Sequence, residues 1–156
     1  MSGRVPVELP RCELPGGLVE RRRWDGTTYT ATHWRGDAQV GRLELVVSPR
    51  VRLHVEAGGW VLRGGLVGSD VLWRRGAGGA GGQEREAVAD GFTGASPAYA
   101  LALLARLEDG PRRLRLVEVT EPVLATRLVD QEWSRSGDVL TVTDLATGWH
   151  RTLTLP

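Results

Sequence analysis

The chain has 156 residues, 41% hydrophobic and 25% charged, with 20 basic side chains against 19 acidic ones and a net charge of +1. That length suits one domain, 1–156, able to bury close to ~70% of its unfolded surface without staples. The even charge balance argues against a nucleic-acid partner, which calls for a clustered basic face, and a lone cysteine, Cys12, excludes an internal disulfide.

Turn signals punctuate the amino-terminal half at short intervals. Trp24-Asp25-Gly26-Thr27 carries the Asp-Gly hairpin cue between strands expected at about 18–24 and 27–35. A run from Ala38 to Val47 follows Gly36-Asp37 and ends at Ser48-Pro49. Next comes a clean alternation, with Val51, Leu53 and Val55 on one face and Arg50, Arg52, His54 and Glu56 on the other. Period-two patterning of this kind marks a half-buried antiparallel strand. Shorter strands are expected near Trp60–Arg63 and Val71–Arg75. The low-complexity stretch Gly76 to Gly82 lacks the Gly-Lys-Ser/Thr of a phosphate loop, so it reads as a hairpin tip or linker.

Ser96-Pro97 opens a helix expected near 96–108, since Ser caps well and Pro suits the first helical position. Gly110-Pro111 closes it. Its residues Ala98, Tyr99, Leu101, Leu103 and Leu104 leave almost no polar face. A helix apolar all round belongs in an interior. Beyond it, strands are expected over Arg112–Thr120, through a long run to Trp133, over Val139–Asp144 and over Trp149–Leu155. The fold class is therefore α+β, mostly antiparallel: a curved sheet of about eight or nine strands, a β-roll or partial barrel, wrapped around one central helix.

The stretch Gly91-Phe92-Thr93-Gly94-Ala95-Ser96-Pro97, the leucines after it, and Arg127-Leu128-Val129-Asp130-Gln131-Glu132-Trp133-Ser134-Arg135 resemble a bacterial glycolipid-binding family. That family places a Phe-Thr segment before a helix and a Gln-aromatic pair on a later strand. Its Thr-Asn-Thr-Leu-Pro element is absent, and the likeness covers about half of this chain. The resemblance implies a spiral β-roll and lipid binding, and it transfers no ligand residue.

All 20 basic residues are arginine, and lysine, isoleucine and asparagine are missing. Those three are read from AT-rich codons, so the composition reads as that of a high-GC bacterium. No signal-peptide core and no stretch near the ~20 residues of a membrane span occur. The expectation is a cytoplasmic protein without membrane insertion.

No catalytic, metal or cofactor motif stands out. Of three histidines, His54 is the first candidate, because Glu56 and flanking arginines could set its charge; His33 and His150 read as ordinary surface or hydrogen-bonded side chains. Asp130 and Glu132 lie two apart on a strand, so they share a face and could form an acid/base pair. Six tryptophans against one phenylalanine suit cavity walls, with Trp34, Trp60 and Trp133 the candidates for ligand contact. Arg52 and Arg115 would bind an anionic group if their strands paired.

Together these features favour a protein that binds an apolar or amphiphilic small molecule or lipid in a cavity between sheet and helix, with no cofactor and no metal. The alternative is a small cofactor-free isomerase, cyclase or hydrolase using a histidine or carboxylate in the same cavity. A third reading is an interaction module that pairs through an exposed sheet edge.

Overall fold

The computed structural model describes residues 5–78, 82–104 and 107–154. Eight strands follow one another as a meander: β1 (Val7–Leu14), β2 (Leu18–Trp24), β3 (Thr28–Arg35), β4 (Ala38–Val46), β5 (Arg52–Ala57), β6 (Trp60–Val67), β7 (Asp70–Ala77) and β8 (Gln83–Val88). Each pairs antiparallel with the next, in the order β1 to β8. A second sheet holds β9 (Gly91–Thr93), β10 (Gly110–Thr120), β11 (Ala125–Ser136), β12 (Val139–Asp144) and β13 (His150–Thr154) in the order β13-β12-β11-β10-β9. Neither sheet closes into a barrel among the described residues.

The helix α1 (Ala98–Leu104) has a topological reason to exist. β9 and β10 are parallel, with Val117 opposite Phe92, and a parallel pair needs a crossover between its strands. The helix is that crossover. Ser96 Oγ accepts the Ala98 amide at 3.1 Å, as the sequence anticipates for a cap. One side of α1 carries Ala98, Tyr99 and Leu101 into the large sheet's inner face of Leu45, Leu53, Val55 and Leu62. The other side carries Ala100 and Leu103 into Leu114, Leu116, Trp133 and Leu140 of the small sheet. Wedged between two apolar faces, α1 leaves only Ala102 and Leu104 half-buried.

The β-rich α+β class agrees with expectation; the strand count does not. Among the described residues, thirteen strands in two sheets replace eight or nine in one. β1 was hidden by Pro6 and Pro10, and β8 reads Gln-Glu-Arg-Glu-Ala-Val, with no apolar face to announce it. Charged residues suit β8 because it is a sheet edge, where they discourage pairing with another chain. The Asp25-Gly26 turn is longer than a two-residue hairpin. Trp24 pairs with Tyr29, only Gly26 has positive φ, and Asp25 Oδ1 accepts the Thr27 and Thr28 amides at 2.8 and 2.7 Å. The glycine run joins β7 to β8, as a hairpin connection would; its residues 79–81 lie outside the described residues, as do 105–106 in the expected helical span.

Candidate functional site

Alternation along β2 and β3 carries charge into the interior. On β3 the inward positions are Tyr29, Ala31 and His33, all buried, while on β2 Glu20 is the buried residue. Glu20 and His33 are direct cross-strand partners. Their side chains meet with His33 Nε2 2.8 Å from Glu20 Oε2, at 1% and 0% residue exposure respectively. The third member, Glu121, comes from the turn after β10. Its two carboxylate oxygens lie 2.8 and 3.0 Å from His33 Nδ1.

With a carboxylate at each ring nitrogen, only the imidazolium satisfies both contacts, because then both nitrogens donate. Burial alone would push the His33 pKa down. Hydrogen bonds to Glu121 and Glu20, and the charge of both, outweigh that and raise it to about 9. Around this core, the Tyr29 hydroxyl donates to Glu20 Oε1, and Arg22 Nη1 donates to the Tyr29 oxygen at 3.4 Å. Cys12 Sγ sits 3.9 Å from Glu20 Oε1, and burial together with the Glu20 charge pushes its thiol up to about 11. Such a thiol is inert at neutral pH. Gly41 stands opposite His33 on β4; a Cβ there would meet Nδ1 at an ordinary 3.6 Å but would crowd the Glu56 carbonyl oxygen at 3.0 Å.

His33 and Glu121 form one end of a cavity of about 280 Å³ between the two sheets and the first turn of α1. Leu14, Leu18, Leu43 and Tyr99 supply apolar wall, with Gln131, Trp149 and Arg151 on the small-sheet side. Tyr99 is buried, and its phenol is held neutral by burial and by the charges of Glu121 and Glu20. Gly94 makes that ring position possible, since a Cβ would fall 2.6 Å from Tyr99 Cε2. Arg151 donates to the carbonyls of Gly94 and Ala95 at 2.8 and 3.0 Å, while its buried Nε has no partner. Burial lowers the Arg151 pKa, with Glu118 opposing. The cavity therefore joins apolar walls to a carboxylate steadied by an imidazolium.

The residues singled out from sequence lie elsewhere. His54 projects from the outer face of the large sheet, with Nε2 3.6 Å from Glu56 Oε1, and Glu56 is ion-paired with Arg42. Asp130 and Glu132 share a face as expected, but the cavity takes Gln131 between them; Asp130 is exposed and accepts Arg115 Nε at 3.0 Å across β10 and β11. Trp34 donates to Thr32 Oγ1 at 2.9 Å beneath the Arg21 guanidinium, and Trp60 lies under Arg75. Trp133 is fully buried in the small-sheet core and donates to Gln131 Oε1 at 3.0 Å. The tryptophan that lines the cavity is instead Trp149.

The strands of Arg52 and Arg115 do not pair. β5 lies inside the large sheet and β10 inside the small one, so the shared anion site expected of them does not form. Among the described residues no group of three or more His, Cys, Asp or Glu side chains is arranged to hold a metal ion. No described helix is long and apolar enough to cross a membrane.

One sequence signal did point to the buried His33 cluster. His33 follows Tyr29 and Ala31 at period two, which puts an ionisable ring on an apolar face. Such a group must be paired.

No family model matches the chain, and no curated protein matches it. Among solved structures, it is similar to the crystal structure of a DUF1089 family protein from Pseudomonas aeruginosa, with a TM-score of 0.57 and 17% sequence identity over 98% of this chain and 91% of that one. At that identity the likeness concerns the fold, and the resemblance to a glycolipid-binding family gains no family match.

Proposed function

We propose that the protein binds a small amphiphilic molecule in the cavity between its two sheets. The supporting observation is a largely apolar cavity of about 280 Å³ bordered by buried His33 and half-buried Glu121. A binding site of mostly apolar wall with a few convergent polar groups is the usual form of a small-molecule pocket. Its volume equals roughly nine waters at their ~30 Å³ liquid share. That suits a ring system or part of one acyl chain, and it is too small for a whole glycolipid. The apolar part of the ligand would lie against Leu18, Leu43 and Tyr99, and a hydroxyl or amine would donate to Glu121.

The test is a tryptophan-fluorescence titration with single-chain and aromatic amphiphiles, alongside native mass spectrometry of protein from its own host. Trp149 at the cavity is the expected reporter. Leu18→Trp, which fills the enclosure from its half-buried edge, should abolish the response. A protein that carries no ligand and answers no probe, or binds equally well as Leu18→Trp, would sink the proposal.

One observation favours catalysis in the same place. Glu121 lines the cavity beside its partner His33, so it could accept a proton from a bound ligand and return it to a neighbouring atom of the same molecule. Glu121→Gln would then bind a ligand without converting it, whereas unchanged ligand recovered from the wild type would exclude this version.

A further inference from the structure

The outer face of the large sheet presents a second and separate constellation. In the register of β5, β6 and β7, His54 stands directly opposite Arg63, and Arg63 directly opposite Arg74. Directly opposed residues share a face, and like charges so placed destabilise the sheet unless an anion lies between them. Two nearby arginines have protein partners: Arg42 pairs with Glu56, and Arg74 Nη2 with Glu84 Oε1 at 2.8 Å. Arg63 makes no ion pair within 4.0 Å among the described residues. The His54 Nε2 in the same row is buried and has no hydrogen bond.

Arg63 and Arg74 border a groove of about 710 Å³ across β4 to β7, whose lining also holds the Arg42–Glu56 ion pair, Gly41 and Gly76, while His54 lies outside it. We propose that Arg63 and Arg74 bind a phosphate-type oxyanion, carried on a larger polar molecule that lies along this groove. Guanidinium groups suit the task because their planar donor forks match a tetrahedral oxyanion bidentately. The anion would also offset the repulsion between Arg63 and Arg74, in a row whose ends carry Glu44 opposite His54 and Glu84 opposite Arg74. The site lies on the opposite face of the sheet from the His33 cavity, so it stands whether or not that cavity binds anything.

The experiment is thermal unfolding of the full chain in sodium pyrophosphate against sodium chloride at matched ionic strength, which cancels general screening. A saturable rise in Tm with pyrophosphate is expected. Arg63→Ser and Arg74→Ser should each weaken the apparent affinity roughly tenfold or more, by loss of charged hydrogen bonds. Arg63→Glu should abolish the effect and raise the Tm of the free protein by roughly 1–2 °C, because it replaces a repulsive neighbour with an attractive one.

A flotation arm with phosphatidylglycerol vesicles separates the sources of the phosphate. Flotation that Arg63→Ser abolishes assigns the oxyanion to a lipid headgroup, and pyrophosphate stabilisation without flotation assigns it to a soluble phosphate. Equal responses from wild type and the serine variants, or no salt-corrected response in either arm, would overturn the proposal.

Discussion

Two histidines of the large sheet, His33 and His54, each lie beside a glutamate, yet they occupy opposite physical regimes. His33 is 1% exposed, held between Glu20 and Glu121, with every ring nitrogen within 3.0 Å of a carboxylate. The side chain of His54 is 26% exposed, and its contact with Glu56 is 3.6 Å, outside hydrogen-bonding range. The same residue pair is thus hydrogen-bonded and fully enclosed on the inner face, and half-buried without a hydrogen bond on the outer one. Burial makes the difference, because a charge removed from water must find partners within the protein.

The sharpest way to break this contrast is to remove one carboxylate on each side. Glu20→Ala leaves His33 and Tyr29 buried without their acceptor and should cost about 3–5 kcal/mol in urea unfolding. Glu56→Ala, on the open face, should change stability by no more than about 1 kcal/mol. Equal losses from the two variants would erase the distinction.

Next in size is the pH response. The folded-state pKa of His33, about 9, lies above its ordinary value of 6.5. Its contribution is therefore fully present below pH 6.5 and is lost as the pH rises through 9. A decline on the order of 3 kcal/mol is expected across that window. His33→Gln should flatten the decline, and imidazole NMR should follow the same titration. A wild-type stability that stays level from pH 6.5 to 9 would contradict the carboxylate clasp.

A smaller effect probes the space around the ring. Gly41→Val would press a side chain toward the Glu56 carbonyl and the His33 ring, at an expected cost of about 1–3 kcal/mol from overpacking. Should that variant match the wild type in thermal unfolding, the ring is less confined than the backbone spacing indicates. Last, His54→Ala should alter stability by about 0.5 kcal/mol or less, as surface changes usually do. A larger loss would make the two histidines alike after all.

Much of the scaffold is written locally. The alternation through Val51, Leu53 and Val55 correctly gives Leu53 and Val55 to the inner face of β5, with Val51 just before the strand, and the Ser96-Pro97 start gives the helix. Failures occurred where local pattern was silent. β8 has no alternation, so only its pairing with β7 defines it as a strand. The candidate site was legible in one part: His33 could be placed on the inner face from Tyr29 and Ala31, whereas His54 drew attention through its polar neighbours. Polar neighbours on a strand's own face are a sign of solvent, which is why the conspicuous pair was the less confined one.

From its sequence alone this protein was committed to antiparallel strands and to one helix with no wet side, because side-chain period and capping act within a few residues of one another. That the helix would be enclosed by two sheets, and that Glu121 would reach His33 across 88 residues, was settled only by tertiary structure. A strand's alternation says which face is buried, but contacts between distant segments depend on how whole sheets stack, and no local window carries that information.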